Sequence, residues 1–283
     1  LSNRCLSEEA QQFIGEKGVK VSVVTVRKPL TYLTRHLVKQ MQLQSSEFIA
    51  PPCTEEIEIL HSDECFLIIN KPSGLLSLSG KNPANLDSVH YRLVQDFPTA
   101  TLIHRLDFGT SGLMVIALNK STNIENANNF NNVEHKKDIA VVDGDLSSDS
   151  GEINLPLTRA EFPRHKVCKE AGKAAASRFR VLERSQSPIS TRVEFTPITG
   201  RTHQLRIHSL AIGHPILGCD LYDLNESRRM APRLLLHASY LAFAHPESGQ
   251  AIEFTAQRHF SVYLVEKLTL DVRIFVDANG VGC

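Results

Sequence analysis

Short runs of strand length constrain this chain more than any other feature of its sequence, and several of them lead into glycine-containing turns. These apolar or alternating runs occupy residues 57–60, 65–70, 101–106, 112–118, 177–183, 191–198, 234–245 and 251–256. Segments with helical periodicity are fewer and do not alternate regularly with the runs, as a doubly wound α/β fold requires. The sequence therefore predicts an α+β fold on a mixed or antiparallel central sheet, with flanking helices and loops.

Two segments carry clear helix signals. Residues 85–97 place apolar side chains on one helical face. Residues 202–213 offer Thr202 as an N-cap and Gly213 just past the last turn. Residues 123–132 contain six asparagines, which compete with helical hydrogen bonds, so a helix there is expected to be weak.

The chain divides by composition into three parts. Residues 1–55 form an extension of mixed charge that includes a candidate helix at 32–44. Residues 56–258 hold the strand signals and are expected to form the main domain, with a polar, acidic loop at 141–152. Residues 259–283 form a tail.

The overall composition excludes several classes of protein. Lysine plus arginine balance aspartate plus glutamate at 31 each, so any binding of a polyanion must come from local clustering of charge. Six scattered cysteines without a C-x-x-C pair favour reduced thiols over a disulfide framework. No stretch approaches 18 apolar residues. We expect a soluble, cytoplasmic protein that works as a monomer.

The stretch "LIHRLDFGTSGL" (102–113) ends a strand-like run on an acid. Asp107 is either a cap for the following turn or a reactive carboxylate. The second role needs a cation to keep the acid ionised, and Arg105, on the same strand face, or the distant Arg201 can supply it. Residues alone leave both roles open.

A second cluster follows Gly200. Arg201 precedes the expected helix, whose first N–H groups attract anions, and His203, Gln204, Arg206 and His208 follow it. This pattern fits a small phosphate-attracting surface, and a solvated basic helix is the alternative.

Two further chemistries fit the sequence poorly. His203, His208 and His214 are spaced by five and six residues, which does not place two ligands on one helical face, so we predict no metal site. Ser111 lacks the G-x-S-x-G pattern of a hydrolase nucleophile. Residues 159–180 are rich in lysine and arginine and predict either a docking face for a polyanion or a solvated loop.

Taken together, "INKPSGLLSLSG", "HRLDFGTSGL" and "PITGRTHQLRIH" resemble, in this order, motifs of the RluA-type pseudouridine synthases. The stretches "IGHPILG", "RLLLHA" and "HPESG" follow in family order, so the resemblance covers residues from about 56 to 258. "KVCKEAGK" and "MAPRLLLHA" are most similar to members that modify a transfer RNA anticodon stem-loop and a hairpin of large-subunit ribosomal RNA. The N-terminal extension does not resemble the S4-type module found in other members.

The resemblance implies the family's catalytic fold and the isomerisation of a flipped uridine in structured RNA to pseudouridine, without metal or organic cofactor. Asp107 is then the nucleophile, Arg201 its partner, and Leu205 packs at the base. Arg105 would reach the RNA or the vacated base position. The remaining residues expected to bind substrate are Lys71, His203, Gln204 and Arg206.

One position departs from the family pattern. The family usually carries a tyrosine in K-x-Y-x-A, which stacks on the target base, whereas residues 136–140 read "KKDIA", with Asp138 in place of the tyrosine or with the tyrosine deleted. An acid offers no stacking face and would repel both Asp107 and phosphate. The sequence therefore leaves two functions open: an RNA pseudouridine synthase, or an RNA-binding homologue that kept the fold and lost catalysis.

Overall fold

The structure is a computed structural model that describes residues 10–14, 20–24, 48–119, 122, 136–222, 226–257, 260 and 262. It divides into two compact units, Leu1–Phe48 and Ile49–Cys283. In the first unit, strands β1 (Ala10–Ile14) and β2 (Lys20–Val24) pair antiparallel. The segments predicted as helices at 32–44 and 123–132 lie outside the described residues, as does most of the tail.

The second unit is built on a ten-stranded sheet. Its strands are β3 (Glu58–Ser62), β4 (Phe66–Lys71), β5 (Thr101–Leu102), β6 (Ser111–Ala117), β7 (Lys136–Asp143), β8 (Ser150–Asn154), β11 (Ala176–Gln186), β12 (Ile189–Pro197), β13 (Leu236–Ala244) and β14 (Ala251–Thr255). Eight of them lie side by side in the order β3-β4-β6-β13-β7-β12-β11-β8, while β5 pairs with β6 and β14 with β13. A separate antiparallel hairpin joins β9 (Leu157–Arg159) to β10 (His165–Val167).

The sheet is mixed, as predicted, because β6 and β13 run parallel whereas the other pairs are antiparallel. The two parallel strands meet at Gly112 and Ala238. A Cβ atom on Gly112 would overlap the carbonyl oxygen of Ala238, and the backbone at Gly112 has a φ of 118°. Glycine is therefore required where β6 leaves the Asp107 turn and joins the sheet.

The continuous apolar runs of β4 and β6 are buried on both faces of the sheet. One face packs Phe66, Ile68 and Val115 against β13, and the other packs Ile69 and Met114 against the helix that follows β4. Burying each large apolar side chain contributes about 1.5–3 kcal/mol. This double burial anchors the strands that flank the Asp107 turn.

The helices are shorter than predicted. Helix α1 (Val89–Leu93) is capped by Ser88, whose side chain accepts a hydrogen bond from the Tyr91 N–H. Helix α2 (Gln204–Ala211) begins after His203 rather than Thr202, and Gly213 follows its end with a φ of 86°, as predicted. Helix α3 (Glu226–Arg229) was not predicted. No helix among the described residues has the length and apolarity needed to cross a membrane.

One strand prediction and one loop prediction were partly wrong. The run 101–106 forms strand only at Thr101–Leu102, because His104 turns inward and its Nε2 accepts a hydrogen bond from the Val115 N–H (3.1 Å). The loop predicted at 141–152 is shorter in the structure, because β7 extends to Asp143 and β8 starts at Ser150.

Candidate active site

A cleft of about 600 Å³ opens where the Asp107 turn, the start of β7, the turn before α2 and the middle of β13 meet. Two predicted stretches, 104–113 and 200–206, both contribute to its wall. The third, 69–80, lies mainly behind the Asp107 turn and supports it, although Ser77 also lines the cleft. The topology thus brings together residues separated by about a hundred positions in sequence.

Asp107 presents its carboxylate to this cleft. The turn is closed through the main chain, because the Thr110 N–H donates to the Asp107 carbonyl oxygen at 3.1 Å. The side chain is 27% exposed and accepts no hydrogen bond from a described residue. The carboxylate is therefore not used as a turn cap, which was the alternative that the sequence left open.

The Asp107 turn is held from behind by the residues that follow β4. Ser73 Oγ donates to the Gly109 carbonyl oxygen, and Ser77 Oγ donates to the Leu106 carbonyl oxygen, each at 2.7 Å. The Gly74 N–H donates to the Phe108 carbonyl oxygen at 2.9 Å. These contacts fix the backbone on both sides of Asp107 without using its carboxylate.

The structure contradicts the prediction that Lys71 binds the RNA substrate. Its side chain is fully buried, and its Nζ donates to the carbonyl oxygens of Pro72 (2.8 Å) and Phe108 (3.4 Å). Burial lowers the pKa of Lys71 to about 7. Lys71 thus supports the nucleophile loop and does not reach the cleft.

His203, Tyr222 and Asp107 form a chain of side chains along one wall. Tyr222 Oη accepts a hydrogen bond from the His165 N–H (2.9 Å) and lies 2.6 Å from His203 Nδ1. All these groups are satisfied when Tyr222 donates to Nδ1, which places the imidazole proton on Nε2. His203 Nε2 faces Asp107 Oδ2 at 3.8 Å.

His203 also has an unusual backbone. Its φ of 57° is in the left-handed region, which disfavours a residue with a side chain. Burial lowers the pKa of His203, with Asp107 opposing that effect, so the ring is neutral near pH 7. The strained turn therefore aims a neutral N–H donor at the carboxylate.

Arg201 does not form the predicted ion pair with Asp107 in the structure. Its guanidinium is exposed, and its Nε donates to the Ala174 carbonyl oxygen at 3.0 Å. The turn before α2 directs the Arg201 guanidinium to Ala174, just before β11, and directs His203 toward Asp107. Arg201 still lines the cleft, as do Arg105 and Leu205.

Gln204 and Arg206, predicted to bind substrate, both line the cleft, but their polar groups are engaged with other parts of the protein. The Gln204 amide accepts hydrogen bonds from Thr199 and the Arg201 N–H and donates to Ala176 and Ser177, which uses all of its groups to fix the turn. Arg206 is 4% exposed and pairs with Asp220 at 2.7 Å. Its guanidinium stacks over the Tyr222 ring at 5.3 Å, so it supports the wall.

Asp138 lies in the cleft wall opposite the Asp107 turn, two residues after Lys136 on β7. Burial raises the pKa of Asp138 to about 7; Lys136 opposes the rise, and Asp107 adds to it. Burial lowers the pKa of Lys136. The carboxyl group is therefore largely neutral below pH 7, which weakens the repulsion of Asp107 and phosphate that the sequence predicts there.

The basic segment 159–180 contributes the β9–β10 hairpin beside the cleft. Five exposed cations in it make no ion pair with a described acid: Arg159, Arg164, Lys166, Lys169 and Lys173. Phe162 is 88% exposed between them. The rings of His165 and His203 lie 5.8 Å apart, so the hairpin is joined to the Asp107 wall.

A serine hydrolase site is not supported. Ser111 Oγ and His237 Nδ1 are 2.9 Å apart, but both side chains are about 1% exposed and neither lines the cleft. His237 Nε2 lies 3.1 Å from the Ala256 carbonyl oxygen. The pair therefore fastens β6 to β13 and has no access for a substrate.

The three histidines considered as metal ligands have separate surroundings. His203 faces Tyr222, His208 lies between Ser177 and the Leu155 carbonyl oxygen, and His214 contacts the Asp143 carbonyl oxygen.

A different cluster, Asp63, Cys65 and His245, has ligand atoms within 4.8 Å of one another. His245 Nδ1 accepts the N–H groups of Glu247 and Ser248, which leaves the imidazole proton on Nε2, the nitrogen that faces Asp63. A metal ligand needs a lone pair at that nitrogen, so the cluster fits a hydrogen-bond network better than a metal.

Sequence patterns missed two residues of the site: His104, which lines the cleft, and Tyr222, which contacts His203 from behind the wall. Tyr222 follows α2 in a segment without any motif, and its position depends on a contact to a hairpin 57 residues earlier. His104 lies inside the recognised motif, but nothing in its neighbours indicates that its ring turns inward and is held neutral, with a pKa lowered by burial to about 3.

Comparisons with known proteins agree with this arrangement. The family model described as RNA pseudouridylate synthase matches residues 65–211. The dual-specificity RNA pseudouridine synthase RluA of Yersinia pestis is 47% identical over 205 residues, covering 71% of this chain and 99% of that protein. Its counterpart in Escherichia coli strain K12 is 44% identical over 213 residues, covering 74% and 97%.

Solved structures show the same fold. Human RNA pseudouridylate synthase domain containing 1 superimposes with a TM-score of 0.62 at 25% identity, covering 77% of this chain and 94% of that one. Human RNA pseudouridylate synthase domain containing 4 gives 0.56 at 24% identity, covering 71% and 88%. The predicted catalytic fold is thereby confirmed.

Proposed function

Because this chain belongs to the RNA pseudouridylate synthase family, we propose that it isomerises uridine to pseudouridine in structured RNA with Asp107 as the nucleophile. The position of Asp107 carries the proposal. Its turn is fixed through backbone contacts, and its carboxylate faces an open cleft without a hydrogen bond from a described residue. A nucleophilic carboxylate must be oriented and unoccupied in this way. We assign the activity to residues 56–258.

The reaction begins with the extrusion of the target uridine from its stack. Unstacking costs a few kcal/mol, and a cleft of about 600 Å³ is large enough to accept a nucleoside. The Asp107 carboxylate then starts cleavage of the bond between the ribose and uracil N1. The detached uracil is turned and rejoined to C1′ through its C5 atom. Leu205 lines the cleft and packs against the base.

His203 and Arg201 play different parts in this proposal. The His203 N–H faces the Asp107 carboxylate in the structure and orients it. Arg201 is exposed at the cleft and has no acidic partner among the described residues. When RNA binds, the Arg201 side chain turns toward the two anionic groups, the Asp107 carboxylate and an RNA phosphate.

The RNA lies across the cleft and the β9–β10 hairpin. Arg105 at the cleft and the exposed cations of the hairpin supply phosphate contacts, so affinity falls with rising salt concentration. Phe162, which is 88% exposed among these cations, offers a face on which an unpaired base stacks. The RNA we propose is a hairpin with unpaired loop bases.

Two such hairpins are proposed as substrates: a transfer RNA anticodon stem-loop and a hairpin of large-subunit ribosomal RNA. This proposal is supported by relatives that share 42–47% identity with this chain and are named dual-specificity RNA pseudouridine synthases. We also propose that the enzyme works as a cytoplasmic monomer without metal or organic cofactor, since the isomerisation is redox-neutral and Asp107 supplies the nucleophile.

The test is nucleoside analysis of RNA incubated with the purified full chain. Digestion and chromatography are expected to show pseudouridine in one or both hairpins, and none with Asp107→Asn. Asp96→Asn is a matched control, because Asp96 lies after α1 and outside the cleft. Equal pseudouridine formation by Asp107→Asn and the parent chain would contradict the assignment of the nucleophile.

A second candidate function is an RNA-binding homologue without turnover. Asp138, which stands where the family pattern has a tyrosine, favours it. Asp138→Tyr separates the cases: a large gain over a weakly active parent indicates a damaged enzyme. RNA binding without turnover in either form supports the binding protein.

A further inference from the structure

The cleft contains a second carboxyl group, that of Asp138, whose surroundings differ from those of Asp107. Asp138 lies near the start of β7, with Phe195 of β12 opposite it on one side and Ala238 of β13 on the other. Both neighbours are buried and apolar, so the sheet itself offers Asp138 no polar partner. Its carboxyl group accepts no hydrogen bond from a described residue.

The charged and titratable groups around Asp138 come from several elements. Its own strand contributes Lys136, and the turn before β6 contributes Asp107. Tyr240 on β13 and Arg201 and His203 before α2 line the same cleft. Lys137 also lines the cleft, and its Nζ pairs with Glu194 at 3.6 Å.

The two carboxyl groups are therefore suited to different tasks. Asp107 sits on a polar turn, while the apolar sheet raises the pKa of Asp138 to about 7. Two carboxyl groups in unlike surroundings commonly divide the work, one acting as nucleophile and the other exchanging a proton. A group with a pKa near the working pH is the most effective base.

The isomerisation contains a step that requires such a base. The bond between N1 and C1′ breaks and the bond between C5 and C1′ forms, which leaves C5 carrying both the ribose and its original hydrogen. The C5–H bond must then break, with its electron pair restoring the C5=C6 double bond, and the proton must leave. N1 gains one proton, so the overall change is the transfer of one proton from C5 to N1.

We propose that Asp138 is the general base that removes the C5 proton after the new C–C bond has formed. This inference rests on the proposed function and deepens it. The Asp138 carboxylate accepts the proton, becomes a neutral acid, and returns the proton to solvent, from which N1 is protonated. In this chain the position of the family's tyrosine is thus occupied by Asp138, which accepts a proton from the substrate.

The other groups in the cleft are less suited to this step. His104 Nε2 already accepts the Val115 N–H, and its pKa is lowered to about 3. His203 Nδ1 is occupied by Tyr222, and its Nε2 carries the proton that faces Asp107. Among the described residues of the wall, Asp138 therefore combines an unoccupied acceptor with a suitable position.

The experiment compares the parent chain with Asp138→Asn on two versions of the same RNA hairpin, one with uridine and one with 5-fluorouridine at the target. On uridine, Asp138→Asn is expected to lower single-turnover pseudouridine formation by about 10²–10⁴-fold, the usual contribution of a general base. Fluorine at C5 leaves no proton to remove, so the 5-fluorouridine RNA should form its C5–C1′ product at the parent rate in both proteins.

A pH profile gives a second readout. The rate on uridine should rise with pH up to about 7 and then level off in the parent chain, because Asp138 must be ionised to accept a proton. This limb should disappear in Asp138→Asn. Asp143→Asn is the matched control, since Asp143 ends the same strand outside the cleft; it should behave as the parent.

Each outcome decides the proposal. If Asp138→Asn lost the same factor in rate on both RNAs, Asp138 would act before C5 deprotonation. If its rate on the uridine RNA were unchanged, Asp138 would not be the base. Either result overturns this inference and leaves the function intact. Failure of the parent chain to transform either RNA overturns the proposed function and this inference with it.

Discussion

Lys71 provides a sharp test of how the loop that carries Asp107 is supported. Its ammonium group is fully buried beneath the loop and donates to the Phe108 carbonyl oxygen. Burial lowers the pKa of Lys71 from 10.5 to about 7. In the unfolded chain the lysine keeps its proton up to about pH 10.5, so between these values the unfolded state binds more protons than the folded state.

The sign of the pH dependence follows from this difference. Raising the pH through the window favours the folded state by about 1.4 kcal/mol per pH unit, roughly 5 kcal/mol in total. Below pH 7 the lysine is protonated in both states, and the full cost of burying its charge is present. Lys71→Met, which keeps the volume and removes the charge, should abolish this slope and raise the free energy of unfolding near neutral pH.

The assay is urea unfolding of the parent chain and Lys71→Met at several pH values across the window. Lys81→Met is the matched control, because Lys81 is exposed and should leave the parent curve unchanged. We also expect Lys71→Met to slow pseudouridine formation, since the loop loses two hydrogen bonds behind Asp107. A stability difference between parent and Lys71→Met that stays constant with pH would refute the reasoning.

Three further predictions follow from the site. Tyr222→Phe should cost about 1–3 kcal/mol of unfolding free energy by leaving the buried His165 N–H and His203 Nδ1 unpaired, and should slow single-turnover rates; an unchanged rate would remove His203 from the mechanism. Phe162→Ala should weaken RNA binding by about 1–3 kcal/mol in a fluorescence titration, because an unpaired base loses its stacking partner. An unchanged affinity would show that the hairpin does not contact the RNA. Arg105→Ala should reduce the slope of log affinity against log salt by about 1 if the residue contacts a phosphate; undiminished affinity and turnover would dismiss that role.

The strands that carry the site could be predicted because their signal is local. The apolar runs that became β4, β6 and β13 are continuous and end at glycine or charged residues, so both their type and their approximate bounds follow from the sequence. The same reasoning failed for residues 103–106. Ile103 and Leu106 pack against the hydrophobic clusters on the two faces of β4 and β6 without pairing in the sheet, and a strand pattern does not distinguish these two arrangements.

The site could be predicted by residue type and order, and less well by contact. Asp107 was correctly singled out as an acid on a sharp turn facing the cleft. The family resemblance implied that Lys71 and Arg206 bind RNA, yet both side chains are buried, and the sequence does not show which cations of a motif face the substrate. The sequence also does not reveal that Phe195 and Ala238 flank Asp138, because strands distant in the chain create the apolar surroundings that raise its pKa.

The central claim is that Asp107 starts an isomerisation that releases the hydrogen at uridine C5. The most direct measurement is tritium release from an anticodon stem-loop and a ribosomal hairpin labelled at uridine C5, with Asp107→Asn as the control. The account predicts release that matches pseudouridine formed, in at least one RNA, and that vanishes in the control. RNA binding without tritium release from the parent chain would contradict it.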